Sequence, residues 1–262
     1  MSESVVLYEV KPNAVIISLN RPDRRNALNR LMVQQLIEAF RRAEQESNSR
    51  CTILTGTGSA FCAGMDLAEV AETLDQPGEA EQVHHDAKQL AALFDLIYTS
   101  SKPTLAAVNG PAVAGGAGLM TVCDLALSTP GAKFGYPEVK RGLVAAMVMP
   151  HLLRHVGERA ARELLLRGNL IDAVEAKRIG LINDIAAEGQ LLTMVMSWVK
   201  ELAEASPQAL TITKKLLQQM NLITDPMKKT TAAASADARL HIEAKEGLRA
   251  FLEKKPVPWA SP

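Results

Sequence analysis

Apolar residues recur along this chain with two periods, and the periods mark out its elements. Val5–Val10 and Ala14–Leu19 have the length and residue types of strands. Lys11, Pro12 and Asn13 between them are turn residues, so a hairpin is expected at the start. The polar run RPDRRNALN follows. Val33, Leu36, Ile37 and Phe40 then repeat at helical spacing, which predicts an amphipathic helix over Arg30–Glu46. Cys51–Thr55 reads as a short buried strand, followed by the small-residue loop GTGSAFCAGMD. Asp66 and Glu69 have the spacing of a capping box that opens the next helix. Leu74–Glu81 is polar and contains Pro-Gly, and a mobile loop is expected there. Gln82–Tyr98 is a helix with Leu90, Leu93, Phe94 and Ile97 on one face.

Thr104–Val108 repeats the short apolar strand, and a glycine-rich turn at Gly110–Gly118 follows it. An apolar helix-like run and a strand at Asp124–Ser128 come next, and Glu138 stands just after a proline. From Ala145 the pattern is mainly helical, punctuated at Pro150, Gly157, Gly168 and Gly180, with a brief strand at Leu181–Ile185. Later helices are expected at Leu191–Ala205, Pro207–Met220, Pro226–Arg239 and Ile242–Glu253, two of them opening with proline in the first turn. The fold class is α/β, with a core over residues 1–195 and a helical C-terminal region over 196–262.

Composition narrows the partners. The chain has 29 basic and 29 acidic residues among 262, so net charge offers no argument for nucleic acid or an anionic membrane. Arg21, Arg24, Arg25 and Arg30 nevertheless cluster, which suits a small anionic ligand. Cys51, Cys62 and Cys123 lie among apolar or small residues and read as buried free thiols of a reducing compartment. The first residues lack a signal-peptide pattern, and no apolar run approaches the roughly 20 residues of a membrane span. A cytoplasmic protein is expected.

Motifs of other chemistries are missing. There is no GxxxxGK followed by Ser or Thr, no GxGxxG after the first strand and no GxSxG. His151 and His155 are four apart, but HLLRH lacks the glutamate of a zinc-protease helix. A plain helix surface is expected, with no metal, and His84 and His85 are expected to be solvated. The informative feature is a pair of glycine-containing loops, FCAGMD at Phe61–Asp66 and GPAVAGGAG at Gly110–Gly118, each after a buried strand. If they meet, each could offer one backbone N–H to a single oxygen that gains negative charge. On spacing alone they read equally well as tight strand-to-helix turns.

RPDRRNALN, SAFCAGMDL, VNGPAVAGGAGL with CDLALST, AKFGYPEVKRGL and the terminal EGLRAFLEKKPVPW decide between these readings. Their order and spacing resemble the enoyl-CoA hydratase/isomerase (crotonase) superfamily over essentially the whole chain. The resemblance implies a spiral of ββα units with a helical C-terminal region used in trimerisation, and a homotrimer or dimer of trimers. It implies acyl-CoA thioesters as substrates, no separate cofactor, and an enolate held by two peptide N–H groups. Those donors correspond to Met65 and Gly115, and the proton-transfer residue to Glu138. Ala27 falls in the CoA-cradling loop, and Arg24 and Arg25 near the CoA phosphates. Ala63, Asp66, Leu67, Gly116 and Gly118 fall along the substrate path.

One departure bears on the reaction. Hydratases of the two-glutamate kind carry a glutamate where this chain has Gly118, and a second where it has Glu138. The usual IPGxGGTQR is replaced by LVAAMVMPHLL, which puts Ala146 at the glycine that helps hold the reacting water. A single glutamate can carry a proton from C2 to C4, which is isomerisation. It can also protonate C2 while water adds at C3. A 2-enoyl-CoA hydratase is expected, with a Δ-isomerase as the alternative and a non-catalytic acyl-CoA binder as the rival. Asp124 is read as a strand-start residue that satisfies backbone groups. Asp66 serves equally as a helix cap, and Glu158, Glu163 and Asp172 as surface charges.

Overall fold

A computed structural model describes residues 4–260. Strands β1 (Val6–Lys11) and β2 (Asn13–Leu19) form the expected antiparallel hairpin, with Val6 opposite Leu19 and Lys11 opposite Ala14. Asn13 takes the left-handed conformation that asparagine tolerates better than most residues. Helix α1 (Arg30–Gln45) crosses to β3 (Ser49–Gly56), and the Asn29 side chain accepts from the Met32 N–H at its start. Helices α2 (Leu67–Thr73) and α3 (Glu79–Thr99) lead to β4 (Thr104–Val108), β5 (Ala112–Val113), α4 (Gly115–Thr121), β6 (Leu125–Ser128) and β7 (Lys133–Gly135). Helix α5 (Met149–Arg167), which breaks at Gly157 as its glycine suggested, precedes β8 (Ile171–Asp172), α6 (Ala173–Arg178) and β9 (Asp184–Ile185). Helices α7 (Leu191–Glu204), α8 (Pro207–Met220), α9 (Asp225–Leu240) and α10 (Ile242–Leu252) complete the chain.

A six-stranded sheet runs β1-β2-β3-β4-β6-β9, parallel from β2 onward, and a three-stranded sheet runs β5-β7-β8. Strand alternation sends Val15, Ile17, Leu19, Leu54 and Ala106 to one face, where they pack with α1 and α3. Ala14, Ile16, Cys51, Ile53 and Leu105 face the other side, against Leu191, Val195 and Val199 of α7. Burial on both faces explains why these strands read as continuous apolar runs. The expected boundary between residues 195 and 196 falls inside α7, which covers the sheet. The helical appendage begins after it.

Asp124 fastens that appendage. Its Oδ2 accepts from Thr104 N (2.7 Å), Thr104 Oγ1 (2.9 Å) and Lys214 Nζ of α8 (2.6 Å). Removing the Asp124 carboxylate would leave the Lys214 ammonium buried and uncompensated, which is usually strongly destabilising. Cys51, Cys62 and Cys123 are buried and free, and burial pushes each thiol up to about 12.

Several expectations change. Residues 74–78 form a short turn, and α3 begins at Glu79 rather than Gln82. Asp75 and Glu79 are ion-paired to Lys245 of α10 at 3.1 and 2.7 Å, partners too distant in sequence to foresee. The capping box is only half formed: Asp66 accepts from Ala68 N–H, while Glu69 accepts from Arg30 N–H at the start of α1. His151 is buried edge-on to Tyr98, with ring centroids 5.0 Å apart, rather than lying on a surface. Asp172 caps α6 by accepting from Glu175 N–H.

Candidate active site

Three loops meet at the carboxyl ends of β2, β3 and β4, and backbone hydrogen bonds hold them together. Phe61 and Cys62 N–H both donate to the Pro111 carbonyl (3.1 Å), and Val113 N–H donates back to Cys62 (2.9 Å). The arginine-rich loop joins through Leu28 N–H to Gly64 O (2.7 Å), Ala63 N–H to Arg25 O (3.0 Å) and Asp66 N–H to Leu28 O (2.9 Å). Asn26, fully buried, donates to the carbonyls of Thr57 and Ala60 and accepts from Arg21 N–H. Arg21 pairs with Asp66 at 2.8 Å and donates to Ala27 O. It was visible in the sequence only as one member of a basic cluster. Its task here is to brace the loop that carries Ala27.

This bonding uses the Gly64 carbonyl and the Asp66 N–H on either side of Met65 and leaves the Met65 N–H without a partner among the described residues. Gly115 is the first residue of α4, so its N–H has no intrahelical acceptor either. The two amides are close: a Cβ placed on Gly115 would lie 3.9 Å from Met65 N, and one on Gly64 would lie 3.2 Å from Gly115 N. Gly64 has φ +90° with Ala114 directly against it, so a side chain there is excluded twice over. Ala114 itself is held at φ 54° and ψ −128°, which is rare for a residue with a Cβ. Strained backbone held in place by its surroundings often marks a preorganised site. Two neighbouring amides, neither with an acceptor among the described residues, can each offer an N–H to one oxygen.

The second sheet sets the carboxylate against this hole. Val113 of β5 is in register with Gly135 of β7, and Ala114 N–H donates to Gly135 O (2.8 Å). The chain leaving β7 makes a 3-10 turn over Pro137–Arg141, which carries Glu138. Tyr136 pins that turn to α4 through a buried hydroxyl contact with Thr121 (2.7 Å). Glu138 Oε2 is buried with no hydrogen-bond partner. Burial raises its pKa to about 7, with Arg141 and its own backbone N–H pulling the other way. Arg141 stacks over Phe251 of α10, with Cζ 4.3 Å from the ring centroid. A carboxyl group that titrates near neutrality can both give and take a proton at physiological pH.

Met65, Gly115 and Glu138 line one cavity of about 350 Å³, together with Arg24, Arg25, Ala27, Ala63, Asp66 and Leu67. Gly116 and Gly118 do not line it. Gly116 is packed against Cys62, and a Cβ on Gly118 would lie 2.6 Å from Val148 and 2.7 Å from Phe94. The place of a second carboxylate is therefore filled by apolar side chains, which leaves no room for one. Ala146, at the start of its own 3-10 turn, lines the cavity with an N–H that no described residue accepts.

The Leu143–Val148 stretch forms part of the wall, together with Leu90 and Phe94 of α3, Arg239 of α9, and Phe251 and Leu252 of α10. Among the described residues, no group of three or more His, Cys, Asp or Glu could hold a metal ion. No helix of the described residues is long and apolar enough to cross a membrane.

Comparison with known proteins agrees with this geometry. Residues 9–262 match the family model described as enoyl-CoA hydratase/isomerase. A Thermus thermophilus protein assigned as an enoyl-CoA hydratase is 44% identical, over 94% of this chain and 97% of its own. A mevalonyl-coenzyme A hydratase of Beauveria bassiana is 34% identical, over 95% of this chain and 92% of its own. The crystal structure of an enoyl-CoA hydratase from Mycobacterium avium superposes with a TM-score of 0.87 at 32% identity, covering 98% of this chain and all of that one. The chain shares that fold, as the motif resemblance implied.

Proposed function

The chain belongs to the enoyl-CoA hydratase/isomerase family, and on that premise we propose that this enzyme adds water to a 2-enoyl-CoA thioester and runs the reverse dehydration. The observation that carries the reading is Glu138, whose Oε2 is buried without a hydrogen-bond partner, in one cavity with two neighbouring amides that no described residue accepts from. The thioester oxygen accepts from Met65 and Gly115 N–H, so the enolate charge developing there is stabilised. Protonated Glu138 gives its proton to C2 through one oxygen. Its other oxygen takes the proton of the water adding at C3, and the carboxyl group ends as it began. Ala146 N–H is placed to orient that water. Arg24 and Arg25 take the CoA phosphates, where a guanidinium fits well, and Ala27 abuts the adenine.

Isomerisation is the second reading, for which the absence of a second carboxylate at Gly118 speaks, and pH separates the two reactions. Hydration starts from the protonated acid, so its kcat/KM should fall as pH rises through about 7. Dehydration must follow the same limb, because hydration releases no net proton. Isomerisation starts from the carboxylate and should instead rise through that pH. Parallel initial rates on a trans-2-enoyl-CoA and a 3-enoyl-CoA, from pH 5.5 to 8.5, check this. Dominant turnover of the 3-enoyl ester with a rising profile would replace the hydratase reading by the isomerase.

A homotrimer or dimer of trimers and a cytoplasmic location belong to the same reading. Ile212, Leu216, Leu217 and Met220 of α8 expose an apolar face that suits a subunit contact. The free buried thiols suit a reducing compartment.

A further inference from the structure

Arg239 of α9 is only 5% exposed, yet no described residue accepts a hydrogen bond from it or forms an ion pair with it. It lines the catalytic cavity and also a second cavity of about 320 Å³ between α1, α2 and α3. Met65 and Leu90 line both cavities as well, whereas Arg24, Arg25, Ala27 and Asp66 line only the first. Since the Met65 amide marks the thioester oxygen, the second cavity opens on the acyl side of the reacting carbonyl.

The acids nearby do not satisfy Arg239. Both oxygens of Asp86 are taken by Arg30, at 2.9–3.1 Å, with Gln82 adding a further bond at 2.7 Å. Glu69 accepts from the Arg30 N–H. Burial lowers the Arg239 pKa to about 10, so the group stays cationic at neutral pH. A guanidinium that faces two cavities and has no acceptor among the described residues is left to water unless an acceptor arrives with the ligand. A carboxylate fits that fork in a bidentate way, which a hydroxyl or an alkyl end does not.

We propose that the acyl group of the substrate ends in a carboxylate, which Arg239 binds, so that the enzyme acts on CoA monothioesters of dicarboxylic acids. This rests on the acyl-CoA reading above for the CoA end alone. Binding of saturated esters, which cannot be hydrated, tests it apart from turnover. Calorimetric titration would compare succinyl- to suberyl-CoA with butyryl- to octanoyl-CoA, pair by pair at equal chain length.

At the chain length that reaches Arg239, the carboxylate ester should bind roughly tenfold to hundredfold tighter than its partner, the worth of a charge-assisted hydrogen bond. Arg239→Met should erase that advantage, and Arg239→Lys should keep part of it. The proposal is overturned if the unsubstituted esters bind equally well or better at every length in the native enzyme. It is also overturned if the advantage survives in folded Arg239→Met. The native comparison decides alone if the variants fail to fold. Failure of every ester to bind would instead overturn the acyl-CoA reading itself.

Discussion

Glu138→Gln should lower kcat/KM for hydration by roughly 10²–10⁴-fold, the usual worth of a positioned acid or base. Glutamine fills the same space but cannot pass a proton to C2, and Gly118 provides no substitute because Phe94 and Val148 occupy its surroundings. Binding of a saturated acyl-CoA should change little, since Glu138 meets the acyl chain and not the CoA phosphates. Initial rates with calorimetric binding separate these effects. Near-native turnover by Glu138→Gln would remove the residue from the mechanism. Equal loss of binding and turnover would reassign it to the pocket wall.

The second large effect should come from a methyl group. Gly64→Ala puts a Cβ 2.8 Å from the Ala114 Cβ, 3.0 Å from the Val113 carbonyl and 3.2 Å from Gly115 N, at a φ of +90°. The loops carrying the two oxyanion donors must part to admit it. Loss of one such donor costs about 10²–10³ in kcat, and a loss of that order is expected here. The added Cβ closes on Ala114, Val113 and Gly115 and on none of Arg24, Arg25 and Glu138, so kcat should fall much more than KM rises. Steady-state kinetics on protein shown to be folded by circular dichroism would check it. A folded Gly64→Ala enzyme with native kcat would mean that the Met65 and Gly115 amides do not act together.

Much of this arrangement was legible from local sequence. The long helices and the strands of the large sheet follow their apolar periods, and the two glycine loops stand out because small residues break those periods. The second sheet was illegible, since β5, β7 and β8 span only two or three residues each. Yet that sheet sets Glu138 against Gly115. The side chains that meet across long stretches were hidden for the same reason. Glu69 serves a different helix from the one it opens, Arg141 depends on Phe251, and Asp75 and Glu79 depend on α10. The residues that surround Glu138 and raise its pKa come from distant parts of the chain, so no local pattern announces them. The family resemblance puts Gly116 and Gly118 along the substrate path. In α4, helix geometry turns them away from the cavity and into the core.

The central claim is that Glu138 passes a proton to C2 of an enolate held by Met65 and Gly115. Turnover of a trans-2-enoyl-CoA in D₂O, followed by NMR of the product, tests it most directly. The account predicts a 3-hydroxyacyl-CoA with a single deuterium at C2, and no such product from Glu138→Gln. A native enzyme that binds the ester but yields no labelled product, or a Glu138→Gln enzyme that labels C2 at the native rate, would contradict it.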